Sequence, residues 1–209
     1  MQAIRVFFKK CGKAKYISHL DLSRAVTRAL LRTGLPIHYT EGFNPHPKLV
    51  FALPLSVFQE SEYEIFDFAV DGEFAFEEVV EKLRKALPPE LEVIGCSAPV
   101  NKLKELKYAK YDLTVQSSLS PEELEKLFVG EVTVTKKTKS KTEDTDISGQ
   151  IFSLKAKSCD EKTVITAVLS AGANEYLNPQ YLVNFLGDKV TCSRIKRTLL
   201  LDGKMEALV

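Results

Sequence analysis

The helix that decides the fold class lies in residues 18–36, which read SHLDLSRAVTRALLRTGLP. Ser18 and Asp21 have the spacing of an N-terminal capping box, and apolar residues recur after them with helical periodicity. Gly34 stands where a C-terminal cap belongs, just before a proline. The sequence therefore predicts an amphipathic helix that begins after Ser18 and ends before Gly34.

Short stretches on both sides of this helix have the composition of strands. Residues 3–8, which precede it, are rich in β-branched and aromatic residues. After it, the pattern predicts three strands, at 37–40, 49–55 and 62–70. A second helix, at about 74–87, stops before Pro88-Pro89, and a closing strand follows at 91–96. The first half thus has the order βαββαβ, with the short strands 37–40 and 49–55, which flank a proline-rich loop, counted as one.

The second half predicts the same order with one additional strand. Its strands are predicted at 111–116, 132–135, 151–157, 164–170 and 198–201, and its helices begin at Ser120 and at Asn178-Pro179. Split βαβ units of this kind form the ferredoxin-like arrangement. We therefore predict an α+β protein of two tandem ferredoxin-like units with antiparallel sheets. The units are expected at 1–98 and 111–209, with a linker at 99–110.

Composition sets further limits on the class of protein. The chain has 209 residues, of which 44% are apolar and 27% charged, as in ordinary globular proteins. No stretch approaches the roughly 18 uncharged apolar residues of a membrane span, and no signal peptide is seen, so we expect a cytoplasmic protein without membrane contact. The four cysteines form no CxxC pair, so we expect no metal site and no cofactor in this chain.

The net charge of +1 hides an uneven distribution along the chain. Residues 1–50 contain nine Lys and Arg and two acids, a net charge of +7, whereas residues 51–95 contain three and eleven, a net charge of −8. The remainder, 96–209, carries +2. A basic opening segment predicts an anionic partner. The alternative is that the basic and acidic blocks neutralise each other within the fold.

Three arginines recur on the predicted first helix at i, i+4 and i+8: Arg24, Arg28 and Arg32. Asp21 is close enough in sequence to pair with Arg24, but no acid stands three or four residues from the other two. Phosphates are their natural partners because a guanidinium matches phosphate oxygens. The alternative is a solvated helix face. Two further basic clusters, 136–141 and 194–197, are expected to be solvated faces that add to such a surface.

The loop 39–48, YTEGFNPHPK, has an unusual mixture of residues. Each proline holds its predecessor in extended geometry, so the loop is expected to be stiff. Phe43 offers a stacking surface, Asn44 an amide for a base edge, His46 a proton donor or acceptor, and Lys48 a phosphate contact. The alternative is that the histidine only satisfies backbone groups at a sheet edge.

These residues also carry a family resemblance that covers nearly the whole chain. The motifs are Ile17–Asp21, Gly34–Pro36, Tyr39–Lys48, Leu53–Leu55, Asp146-Ile147, Gly172 with Leu177–Pro179, and Arg194–Thr198. On these motifs the chain resembles the bacterial radical-SAM-linked protein family, an uncharacterised domain found fused to or encoded beside radical SAM proteins. It departs from the family pattern at Ser148-Gly149-Gln150, where basic or planar residues are expected.

The resemblance implies a radical SAM protein as partner, since this chain has no cluster-binding cysteine triad of its own. It implies an accessory RNA-binding or substrate-presenting module for the modification of tRNA or rRNA. Arg24, Arg28 and Arg32 would hold phosphates, and the loop residues Phe43, Asn44, His46 and Lys48 would address a base or an RNA turn.

Two alternatives remain open. The first is a metal-independent endoribonuclease, because tandem ferredoxin-like units also resemble CRISPR repeat-processing enzymes. His46 or His19 would then act as general acid or base, with Tyr39 or Tyr16 assisting, although the expected glycine-rich loop is missing. The second is a protein-docking subunit without RNA, in which the acidic stretch 60–81 or the helices contact the partner.

Overall fold

The computed structural model describes residues 1–137 and 142–209, and the chain divides into two compact units. Unit 1 comprises Met1–Glu105 and Ala207–Val209, and unit 2 comprises Leu106–Glu206. Within each unit the strands pair antiparallel and few helices are present. The prediction of an α+β chain with antiparallel sheets is confirmed.

Unit 1 is a four-stranded sheet with two helices. Its elements are β1 (Gln2–Lys10), α1 (His19–Arg32), β2 (Val50–Phe51), β3 (Glu60–Val70), α2 (Phe76–Ala86) and β4 (Val93–Ser97). β1 pairs with β3 on one side and β4 on the other, and β2 pairs with β3. The strand order is therefore β4-β1-β3-β2, with the first strand in the centre.

The helices of unit 1 cover one face of this sheet. Ile4, Val6 and Phe8 alternate along β1 and belong to the same buried cluster as the apolar faces of both helices. The first helix begins as predicted, because the Ser18 hydroxyl accepts a hydrogen bond from the Asp21 N–H (3.1 Å). Burial of these apolar faces is the main source of stability of this unit.

The opposite face of the sheet contains a buried ion pair. Arg5 is fully buried, and its Nε and Nη2 donate to the two carboxylate oxygens of Asp67 at 2.8 and 2.7 Å. Its Nη1 donates to the main-chain oxygen of Val209 at 2.8 Å, and the Tyr63 hydroxyl donates to the Leu208 carbonyl at 3.0 Å. Burial raises the pKa of Tyr63, opposed by the charge of Arg5. Residues 207–209 are thereby fixed to unit 1.

Unit 2 has the same strand order with a separate hairpin inserted. Its elements are β5 (Leu106–Ser117), α3 (Pro121–Lys126), β6 (Thr133–Lys137), β7 (Thr142–Asp146), β8 (Ile151–Cys159), β9 (Lys162–Gly172), β10 (Glu175–Tyr176), α4 (Gln180–Leu186) and β11 (Val190–Asp202). β5 lies between β11 and β9, and β8 and β10 share the far edge of β9. β6 and β7 pair only with each other within the described residues.

Several element boundaries differ from those predicted. The strand expected at 37–40 is reduced to single bridges at Ile37 and Tyr39, and the one expected at 49–55 is only β2. Proline lacks the N–H that a strand ladder needs, and prolines interrupt this region. Residues 106–110, expected in the linker, belong to β5.

The longest helix, α1, has 14 residues. Over residues 1–137 and 142–209, no helix has both the length and the apolar character that crossing a membrane requires.

Candidate functional site

The segment 39–48 forms a hairpin at the edge of unit 1, which we call the proline hairpin. Tyr39 pairs with Pro47, and the Thr40 N–H donates to the His46 carbonyl at 2.8 Å. The Lys48 N–H donates to the His38 carbonyl at 3.1 Å. After the hairpin the chain enters β2, so its base is attached to the sheet edge while the turn projects from it.

His46 stiffens this hairpin from within. Its N–H donates to the Thr40 hydroxyl oxygen (3.2 Å), and its Nδ1 lies 3.1 Å from the same oxygen and 3.2 Å from the Asn44 carbonyl oxygen. In the tautomer that donates from Nδ1 to the Asn44 carbonyl, Nε2 is left as an acceptor on this exposed residue.

The turn of the proline hairpin presents its side chains to solvent. Phe43, at its tip, is fully exposed, and Asn44, His46 and Lys48 are also exposed. Only Pro47 is buried within the hairpin. A fully exposed phenylalanine makes no contribution to a core, so its ring is accessible to a partner. The structure thus places the residues that the sequence singled out in this loop on one short hairpin.

Tyr39 and His46 were candidates for joint acid–base chemistry. Thr40, not Tyr39, lies opposite His46 in the hairpin. Neighbouring residues of an extended segment point to opposite faces, so the Tyr39 ring lies on the face away from the imidazole. The geometry does not bring these two side chains together.

His19 begins α1 and has a packing contact. Its half-buried ring meets Phe51 of β2 edge-on, with ring centroids 5.2 Å apart. Phe51 in turn packs against the buried Phe8 and Phe66. This contact joins the start of α1 to the strand that follows the proline hairpin, which gives His19 a structural role whatever else it does.

The three arginines of α1 have different surroundings. Arg24 is paired with Asp21 at 3.4 Å, as the spacing predicted, and both side chains are largely exposed. Arg32 is not directed to solvent alone, because its Nη2 donates to the Ala86 carbonyl at the end of α2 (2.7 Å). Arg28 is exposed, and within the described part of the chain no ion pair engages it. The stripe therefore has two guanidinium groups open to an anion and one that caps a helix.

An exposed aromatic pair lies just before α1, and we call it the Tyr16–Phe58 pair. The ring centroids are 5.8 Å apart at 82°, and the two residues are 59% and 71% exposed. Lys15 places its ammonium 5.3 Å from the centre of the Tyr16 ring. Tyr16 was singled out in the sequence, but Phe58 was not, because an apolar residue in a loop gives no signal of its exposure.

Other predicted features are less clearly connected to a site. Of the lysines in 136–141, Lys136 donates to Gln150 and lies 5.5 Å from the Tyr181 ring centre, while 139 and 141 lie outside the described residues. Arg194 is exposed and Arg197 is fully buried against the Tyr111 hydroxyl. Among the described residues, no three His, Cys, Asp or Glu side chains converge as metal ligands would.

The chain was compared with solved structures. It is similar to a chain in the crystal structure of a Cbf5-Nop10-Gar1 complex, with a TM-score of 0.53 and 10% sequence identity. The match covers 94% of this chain and 48% of that one, so this chain spans about half the length of its neighbour. At this identity the likeness shows the fold alone.

The sequence of this chain matches a family but no protein of established function. No curated protein matches the chain. A family model does match, over residues 3–179. The chain therefore belongs to the bacterial family described as "uncharacterized protein conserved in bacteria" (DUF2344).

Proposed function

We propose that unit 1 binds single-stranded RNA through the proline hairpin. One observation carries this proposal: the hairpin is fixed at its base and holds a fully exposed Phe43 at its tip. Unpaired RNA bases stack on exposed aromatic rings, and such stacking accepts any base because every base has a π-face. A ring held out on a stiff support loses little freedom on binding.

The polar groups beside Phe43 fit the rest of a nucleotide. The Asn44 amide has the donor and acceptor pattern to meet a base edge, and the exposed His46 ring offers a further hydrogen-bonding nitrogen. Lys48 supplies a positive charge for a phosphate. All three arginines of α1 are exposed, but the Arg32 guanidinium donates to the Ala86 carbonyl at the end of α2. We therefore assign phosphate contacts to Arg24 and Arg28.

A ribonuclease activity remains a second candidate, and one observation favours it. In the tautomer that donates from Nδ1 to the Asn44 carbonyl, Nε2 is the unprotonated nitrogen of an exposed ring. Such a nitrogen would take the proton of a 2′-hydroxyl as a general base. The same experiment distinguishes binding from cleavage, because only cleavage shortens the RNA.

We further propose that the chain consists of two tandem ferredoxin-like units and works with a partner protein. The strand order shared by the two units, with the first strand central, supports tandem ferredoxin-like units. A separate radical SAM protein would carry out modification of the tRNA or rRNA that this chain presents. That partner rests on the sequence resemblance alone, because the family description mentions no radical SAM protein. In the alternative without RNA, this chain is a docking subunit that contacts a protein partner through the acidic stretch 60–81.

Binding would be measured as the fluorescence anisotropy of a labelled 12-nucleotide single-stranded RNA at 50 and 200 mM KCl, with the RNA then recovered on a gel. We expect salt-sensitive binding of intact RNA. Phe43→Ala should weaken it by about five- to hundredfold, since stacking contributes about 1–3 kcal/mol per base. The double variant Arg24→Ala/Arg28→Ala should reduce the slope of log affinity against log salt by roughly 1.4.

Val129→Ala is the matched control, because this exposed apolar residue lies in unit 2. It should bind RNA as the wild type does. Absence of binding at 50 mM KCl would contradict the proposal and favour a docking subunit. If the wild type shortens the RNA and the His46→Ala variant leaves it intact, the result would instead support the ribonuclease.

A further inference from the structure

We propose that the Tyr16–Phe58 pair is a second stacking site for an unpaired RNA base, with Lys15 contacting the phosphate of the same nucleotide. This inference rests on the proposed function and adds to it a place for a second base. It is carried by the exposure, the backbone conformation and the charge of this pair, none of which the proline hairpin explains.

The backbone at Phe58 is in a conformation that its side chain disfavours. Its φ is +70°, in the left-handed region that glycine adopts readily and that bulky residues rarely do. Yet the ring is 71% exposed and fills no core. A strained, largely exposed residue whose ring contact is with another exposed ring, that of Tyr16, points to a role outside the folded chain. The strain sets the direction in which the ring projects.

The pair is held rigidly by hydrogen bonds between two segments. The Phe58 N–H donates to the Lys15 carbonyl at 2.7 Å, which ties the loop before β3 to the turn before α1. Two residues further along, Glu60 accepts a bond from the Gly12 N–H at 3.2 Å. Gly12 itself has a φ of +57°, which starts this turn. These bonds fix the backbone from which the two rings project.

The charge beside the pair favours an anionic partner. Lys13 is exposed, and Lys15 lies over the Tyr16 ring, in a segment 1–50 that carries nine basic residues and two acids. The acid nearest in the paired segment, Glu60, is buried and bonded to Gly12. An aromatic surface flanked by ammonium groups matches a nucleotide, which combines a flat base with a phosphate. An apolar protein partner would not use these charges.

The test uses a single-stranded RNA with one 2-aminopurine, whose fluorescence falls when the base stacks on an aromatic ring. Phe58→Gly is the informative variant, because it removes the ring and at the same time relieves the backbone strain. We expect this variant and Tyr16→Ala each to weaken binding by about five- to hundredfold and to reduce the quenching. The melting temperature of Phe58→Gly should not fall, which separates lost binding from lost folding.

Leu31→Ala is the control, because it removes an exposed apolar side chain of α1 instead. It should bind and quench as the wild type does. If Phe43→Ala weakens binding but Phe58→Gly and Tyr16→Ala do not, the second stacking site is wrong and the proline hairpin stands. If the wild type binds no RNA, both proposals are wrong. Capture of an apolar peptide that Phe58→Gly abolishes, without RNA quenching, would identify a protein-docking pair and overturn this inference.

Discussion

The two units insert a hairpin at the same point of the fold, between the first helix and the edge strand that follows it. In unit 1 this is the proline hairpin 39–48, and in unit 2 it is formed by β6 and β7. The first has a buried proline and side-chain bonds around His46, whereas the second has a ladder of five backbone pairs and buried apolar residues at Val134 and Ile147. One scaffold thus supports two differently built insertions.

This contrast indicates which part of each unit distinguishes it from the other. The sheet and helices of the two units have the same order, so they do not distinguish one unit from the other. The insertion does, because only the one in unit 1 presents an exposed aromatic ring among polar groups in the described residues. The following predictions test whether stability resides in the scaffold and recognition in the insertion.

The largest expected effect is on the scaffold. Arg5→Leu leaves Asp67 without its buried partner, so the free energy of unfolding should fall by about 3–5 kcal/mol. Urea denaturation measures it. Lys9→Leu is the control on the same strand, because its pair with Glu92 is exposed and should contribute less than about 1 kcal/mol. Equal losses in the two variants would show that this ion pair does not hold the scaffold.

The second prediction concerns the thiols of the two scaffolds. Burial raises the pKa of Cys96 in unit 1 to about 12, opposed only in part by the charge of Arg84, whereas Cys159 in unit 2 is exposed. At pH 8 iodoacetamide should therefore alkylate Cys159 faster than Cys96 by about a hundredfold, because the thiolate is the nucleophile. Peptide mass spectrometry over time gives both rates. Comparable rates would mean that unit 1 opens readily at β4.

A smaller effect is expected where the insertion is stiffened. Thr40→Val removes the hydroxyl that accepts from the His46 N–H, which should cost about 1 kcal/mol of stability or less. RNA affinity should fall about three- to tenfold in the anisotropy assay, because a looser hairpin loses more freedom on binding. Thr135→Val is the matched control, since its hydroxyl bonds Asp144 within the hairpin of unit 2. It should leave RNA affinity unchanged.

The smallest effect concerns the base of the hairpin in unit 2. Asp146 accepts hydrogen bonds from the Ser148 N–H, the Ser148 hydroxyl and the Val132 N–H, and those from Ser148 chiefly hold its pKa below the usual value. A carboxyl whose pKa is lowered by folding stabilises the native state above its unfolded pKa. This contribution disappears as the pH falls through the folded pKa.

Asp146→Ala should therefore lower the melting temperature at pH 7 and have little effect at pH 2. Thermal denaturation at both pH values measures the difference. The same decrease at both would mean that the charged form of Asp146 contributes nothing.

The parts of the fold that the sequence predicted are those with strong local signals. Ser18, Asp21 and Gly34 bound α1 in the structure as they do in the sequence pattern. In contrast, β7 reads TEDTD and has no apolar alternation. It is a strand because it pairs with β6, not because one of its faces is buried. A local pattern gives no sign of such a strand.

The candidate site was predictable in its residues but not in its geometry. Phe43 and His46 stood out by composition and spacing, and both lie on the exposed turn. The contact of Arg32 with Ala86 joins residues 54 positions apart, and the strained Phe58 depends on a backbone angle. Neither follows from periodicity, because each is set by how distant segments meet.

Arg5 also has a consequence for how the chain matures during synthesis. Two of its hydrogen bonds go to Asp67, which is made early, but the third goes to the main chain of Val209, 204 residues away. A ribosome adds roughly 5–20 residues per second, so synthesis of Asp67 and of Val209 is separated by about 7–28 seconds. During that interval the Val209 oxygen that accepts from Arg5 Nη1 does not yet exist.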